Sequence, residues 1–183
     1  MSTLNIVGLV GSLRRGAFTR QMMETLPDLA PEGMRITLAD IGHLPFYNED
    51  LKEDGKGPEA VRAFNRLIGE ADGLIVGSPE YNRSPPAVLK NAIDWLSKEP
   101  EAVLAGKPVM IATQSPGQLG GILSNYHLRQ VLSVTGAIFI TGGEVAITGI
   151  GKKVSDGKIS DTDTRDYLTS HLRRLSALIE AHR

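Results

Sequence analysis

Three short stretches carry residue types suited to holding a small charged, flat ligand. In the first, Gly11-Ser12-Leu13-Arg14-Arg15-Gly16-Ala17-Phe18-Thr19, a turn glycine, two hydroxyls and two guanidinium groups precede a helical pattern. Backbone N–H groups at a helix N-terminus bind anions, aided by the helix dipole. Ser12 and Thr19 can donate to phosphate oxygens, and Arg14 adds a charge-assisted bond. The stretch contains neither Gly-x-x-x-x-Gly-Lys-Ser/Thr nor Gly-x-Gly-x-x-Gly, so a P-loop and a dinucleotide fingerprint are both absent. One terminal phosphate fits it better. The second stretch is Ser78-Pro79-Glu80-Tyr81-Asn82-Arg83-Ser84-Pro85-Pro86. Its prolines stiffen it. Backbone groups of 80–82 and the Asn82 amide can meet the edge of a flat heteroaromatic ring, and Tyr81 can cover it. The third, Gln114-Ser115-Pro116-Gly117-Gln118-Leu119-Gly120-Gly121, is small and polar, with glycines that let backbone approach a ligand. Each stretch also has a plainer reading as a rigid turn or helix start.

Composition narrows the chemistry further. The chain has 183 residues, 41% of them apolar and 22% charged, which suits one globular domain spanning 1–183. Twenty basic and twenty-one acidic residues leave a formal charge of -1. That balance argues against a nucleic-acid partner and against a strongly acidic electron carrier. Without cysteine there is no disulfide, thiolate nucleophile, iron–sulfur cluster or cysteine-type zinc site. Four scattered histidines suggest no metal site and no proton-transfer role, so no side chain is named as catalytic and none as a metal ligand. The apolar run at 4–10 contains Asn5 and Gly8 and has no basic segment before it, unlike a signal peptide. No run is long enough to span a bilayer, which takes about 20 apolar residues. A soluble, cytoplasmic protein with no membrane partner is expected.

The elements that would position the three stretches follow from hydrophobic periodicity. Strands are predicted at 4–10, 34–38, 73–77, 109–113 and 137–140. Helices are predicted at 16–26, ended by Pro27 and Pro31, then at 58–70, from Ser84 as N-cap with Pro85 in the first turn, at 119–134 and at 162–181. The residues 141–160 read as a long glycine-rich excursion. Strands alternating with helices specify a doubly wound α/β fold: a five-stranded parallel sheet with helices on both faces. At this length the flavodoxin-like order 2-1-3-4-5 leads. Ligands in such sheets sit beyond the carboxyl ends of the strands, at the switch point, where the three stretches fall. Together they outline a phosphate pocket beside a flat-ring pocket, as for FMN.

With these stretches in place, the chain resembles the NAD(P)H-dependent FMN reductases, in particular the quinone and chromate reductase branch. The resemblance rests on Gly11-Ser12-Leu13-Arg14 with Gly16 and on Pro79-Glu80-Tyr81-Asn82 followed by Leu89-Lys90-Asn91-Ala92-Ile93-Asp94-Trp95-Leu96. It extends through Ala105-Gly106-Lys107-Pro108-Val109 and Gly120-Gly121 with Tyr126-His127-Leu128-Arg129-Gln130. It implies noncovalent FMN, NAD(P)H as co-substrate, and ping-pong hydride transfer to a quinone or similar small-molecule acceptor. It carries Ser12, Arg14 and Thr19 over as phosphate contacts, in the loop holding Gly16, Ala17 and Phe18. Pro79, Glu80, Tyr81 and Asn82 become ring contacts, with Ser115 and Gly117 near the ring and ribityl chain. It also implies a homodimer or homotetramer with FMN near the interface, anchored by Tyr81, Trp95 and the helix at 84–97. The family pattern has Ser and Asn where this chain has Ala17 and Thr19. Two other readings share the fold: an electron carrier like flavodoxin, and a flavin-free binding module.

Overall fold

Aliphatic runs of six or seven residues form the main strands, β1 (Leu4–Val10), β2 (Met34–Ala39), β3 (Gly73–Ser78) and β4 (Pro108–Gln114). The computed structural model describes residues 3–183. Every residue of β3 and β4 is buried, as in strands covered on both faces. Amphipathic helices alternate with them: α1 (Phe18–Leu29), α2 (Glu59–Glu70), α3 (Ala87–Lys98), α4 (Ile122–Ser133) and α5 (Thr162–Ala181). With β5 (Ile138–Phe139), the parallel sheet has the order β2-β1-β3-β4-β5, the doubly wound arrangement expected. Alternate residues of one strand serve opposite faces. Val7 and Leu9 join α2, α3 and α4 in one core, around Phe64, Leu89 and Trp95. Ile6 and Val10 join α1 and α5 in the other, around Met22, Leu26 and Leu172.

Local departures from the sequence pattern have local causes. Pro27 lies inside α1, which runs on to Leu29, because a proline near a helix end forfeits little of the ladder. Helix α3 begins at Ala87 with Pro86 as its cap, later than the expected start at Ser84. Ser84 instead closes a tight turn with Tyr81 and bonds His127 Nδ1 at 2.9 Å. Trp95 is fully buried in the core, which removes it from the expected interface anchors. Its Nε1 donates to Pro45 O at 2.7 Å, and Asn91, one turn earlier, donates to the same oxygen at 2.9 Å. Asn91 Oδ1 also accepts Tyr47 N–H at 2.7 Å, so the two side chains clamp the loop after β2 to α3.

The excursion at 141–160 is largely structured. Strand β4 pairs first with β5, through Pro108↔Ile138 and Val109↔Phe139. It then pairs with β6 (Val145–Ile147), from Ala112↔Val145 to Gln114↔Ile147. The two short strands are halves of one broken edge. A hairpin of β7 (Val154–Ser155) and β8 (Lys158–Ile159) follows. No helix among the described residues is long and apolar enough to cross a membrane.

Candidate active site

The loops after β1, β3 and β4 converge on a cavity of about 230 Å³ at the carboxyl end of the sheet. Its walls are Ser12, Arg14, Ala17, Phe18 and Thr19 from the first loop, Pro79, Glu80 and Tyr81 from the second, and Gln114, Ser115 and Pro116 from the third. Larger hollows exist, one of about 490 Å³ between the ends of α3 and α4 and one of about 410 Å³ near the start of β4. Neither gathers strand-end loops, so the smaller cavity is the better site by position. Gly16, Asn82 and Gly117 stay in its loops but outside its wall. Gln114 and Pro116 line it without having been singled out. The signal for Gln114 was available: it is a polar side chain at the very end of a buried strand.

The first loop leaves the start of α1 without a side-chain cap. Ala17 is the N-cap of α1 and has no polar side chain, so nothing in that residue covers the first-turn N–H groups of Phe18, Thr19 and Arg20. A serine in its place would compete for those groups. Ala17 N–H itself is engaged with Arg14 O at 3.2 Å. Ser12 is buried, and its Oγ lies 3.4 Å from Tyr81 Oη, joining the first loop to the second. Thr19 is fully buried and its hydroxyl faces inward, accepting from Gln114 Nε2 at 2.8 Å. Gln114 Oε1 is buried without a partner.

The second loop is held in shape by its neighbours. Glu80 Oε2 accepts the N–H groups of Leu123 and Ser124 at 3.0 and 3.3 Å, capping α4. Tyr81 and Ser84 exchange both backbone bonds, at 2.9 and 3.0 Å. Asn82 and Arg83 between them take φ of 51° and 69°, the left-handed pair of a two-residue turn. Tyr81 remains half exposed.

The third loop is braced from outside by the former excursion. Ser115 N–H donates to Ile147 O at 3.0 Å, and Ile150 and Gly149 N–H groups donate to Ser115 and Gly117 carbonyls at 3.2 and 3.1 Å. Gly151 sits against the Phe18 ring, so the segment after β6 also backs the first loop. The glycines at 120 and 121 answer to the chain itself, not to a ligand. Both have positive φ, and a Cβ on Gly120 would fall 2.7 Å from the Ala146 carbonyl. None of the four histidines lines the cavity. No cluster of three or more potential metal ligands occurs among the described residues.

The uncapped helix start, with Ser12 and Arg14 beside it, suits a phosphate that accepts hydrogen bonds. A family model described as NADPH-dependent FMN reductase matches residues 4–152. The chain belongs to that family. It is 41% identical over 180 residues to a quinone reductase of Escherichia coli K12, covering 97% of this chain and 96% of the relative. It is 38% identical over 182 residues to a 2-hydroxy-1,4-benzoquinone reductase of a Burkholderia species, covering 98% of each. Among solved structures it is similar to FerB, a flavoenzyme NAD(P)H:(acceptor) oxidoreductase from Paracoccus denitrificans. There the TM-score is 0.89 at 32% identity, over 98% of this chain and 99% of that one. As an FMN reductase the chain is an oxidoreductase with FMN as cofactor and NAD(P)H as reductant. The cavity residues fit that cofactor's phosphate end: an uncapped helix start, a buried hydroxyl and a guanidinium on one side of a cleft.

Proposed function

We propose that this FMN reductase moves hydride from NAD(P)H to a quinone in two half-reactions that share one open site, a ping-pong sequence. The observation that carries the reading is the uncapped start of α1 opening, with Ser12 and Arg14, into a cavity also walled by Pro79–Tyr81 and Gln114–Pro116. The flavin, when bound, supplies the two-electron chemistry, and the protein supplies binding and orientation. Ser12 Oγ, the Arg14 guanidinium and the N–H groups of Phe18 and Thr19 hold the phosphate. Backbone groups of Glu80 and Asn82, with the Asn82 amide beside them, hold the ring edge, and the Tyr81 ring covers it. Ser115 and Gly117 border the ribityl chain. A cavity of about 230 Å³ is below the roughly 300–1,000 Å³ of sites that enclose a whole ligand, which supports a flavin whose ring stays open to acceptors. Chromate, azo and nitro compounds and free flavin belong to the same permissive range.

No side chain here acts as an obligate acid: with no histidine in the wall, replacing each by Ala in turn should leave turnover standing. The exposed side chains Tyr81, Leu119, Leu123 and Tyr126 support assembly as a homodimer or homotetramer, which light scattering would read as two or four chains. A cytoplasmic location is part of the same reading, and cysteine-free composition suits it. The deciding experiment is anaerobic. Purified protein should carry flavin absorbance that NAD(P)H bleaches and a quinone restores. Bound FMN that NAD(P)H leaves coloured would identify a carrier, and failure to take up FMN would identify a flavin-free module.

A further inference from the structure

Thr19 and Gln114 form a pair that the sequence pattern alone does not couple. They stand 95 positions apart, one in the first turn of α1 and one at the end of β4, and Gln114 Nε2 donates to Thr19 Oγ1 at 2.8 Å. Both line the cavity, Thr19 at 0% exposure and Gln114 at 4%. Three buried side-chain atoms among the described residues lack a partner: Asn65 Oδ1, His171 Nε2 and Gln114 Oε1. Of these residues only Gln114 borders this cavity. A buried amide with one end unpaired is unfavourable, and such groups persist where another role holds them in place. Here the other end of the amide is held by Thr19. Gln114 spends an N–H on Thr19 Oγ1, so the Thr19 hydroxyl keeps its own proton to donate, on the cavity wall at the start of α1. The unpaired Gln114 Oε1 is an acceptor and binds no anion, so the amide acts through Thr19.

We propose that Gln114 is a positioning residue for the flavin phosphate, acting through Thr19: its N–H turns the Thr19 hydroxyl so that the hydroxyl proton is donated to a phosphate oxygen. Its bond to Thr19 ties the first turn of α1 to the end of the neighbouring strand. That tie fixes the direction of the Phe18 and Thr19 N–H groups before the anion arrives. The inference rests on FMN occupying this cavity. It predicts a dependence on the phosphate: Gln114 should matter for FMN and far less for riboflavin, which has the same ring and ribityl chain.

The test uses flavin-free protein and the quenching of flavin fluorescence, which reads affinity without turnover. Gln114→Ala should weaken FMN binding by about tenfold, the worth of one hydrogen bond near a charged group, and change riboflavin binding by less than about twofold. Thr19→Val should do the same. Thr19→Ser should keep FMN affinity within about threefold of the starting protein, because the hydroxyl remains. Unchanged riboflavin binding excludes a general folding defect. Equal weakening for both flavins, no weakening for either, or a loss in Thr19→Ser as large as in Thr19→Val would overturn the proposal. If the unaltered protein binds neither flavin, the functional reading itself fails first.

Discussion

Asn91 serves two backbone groups with one amide. It accepts Tyr47 N–H and donates to Pro45 O, which Trp95 Nε1 also reaches. The Lys90–Trp95 part of the motif thus acts on a loop more than forty residues upstream. Asn91→Ala leaves the buried end of that bond unmatched and should lower stability by about 1–3 kcal/mol. Urea or thermal melting would measure it, and faster proteolysis near Tyr47 would locate it. His171 makes a different case. It is buried on α5, its Nδ1 bonds Tyr167 O at 2.8 Å, and its Nε2 has no partner. Burial holds its imidazole below the ordinary value, with the Arg174 charge adding to the effect against the Tyr167 bond. The unfolded chain therefore takes up this proton first as pH falls through about 6.5. This contribution to stability is fully present above that pH and declines below it. His171→Leu should flatten the dependence of Tm on pH between about 7 and 5.

The turn at 81–84 shows what an element demands of its residues. A two-residue hairpin of this kind needs positive φ at both central positions, and an Asn-Gly pair meets that need. The chain has Asn82 and Arg83 there, at φ of 51° and 69°. Asparagine tolerates the left-handed region, whereas a bulky residue loses roughly 1–2 kcal/mol to it. Glycine at 83 would remove that strain but gain freedom in the unfolded chain, worth about 0.5–1 kcal/mol. Arg83→Gly should therefore raise stability by about 0.5–1 kcal/mol, seen as a higher urea midpoint with an unchanged slope. Strain of this kind gathers beside functional sites. Here it sets the loop that carries Tyr81 against Ser12.

Across the whole molecule, ligand binding and folding are linked. The cavity is built from three loops that meet only when β1, β3 and β4 are paired, so the unfolded chain lacks the site proposed for the flavin. FMN at about one hundred times its Kd should stabilise the fold by about 2.7 kcal/mol. For a chain of this size that corresponds to a rise in Tm of about 5–10 °C. A thermal shift series with FMN, riboflavin and inorganic phosphate would check it. FMN should give the largest rise, since only FMN engages both the first loop and the other two.

The sequence by itself determined the sheet order, the sites of the main strands and helices, and the three loops that meet at the cavity. It could do so because burial on both faces writes continuous apolar runs into strands, and turns at their ends call for small, polar and proline residues. What it could not determine were contacts between distant parts. Trp95 read as an anchor for a partner, and only its packing against the loop at 45–47 decided for core. The excursion at 141–160 hid β6, because three residues are too short to show a period and their partner strand lies thirty residues earlier. Gly120 and Gly121 read as room for a ligand, yet the Ala146 backbone fills the room at Gly120, and the Thr113–Gln114 end of β4 fills it at Gly121. The bond between Thr19 and Gln114 is the clearest case: α1 and β4 must both be in place before an amide on one can serve the other.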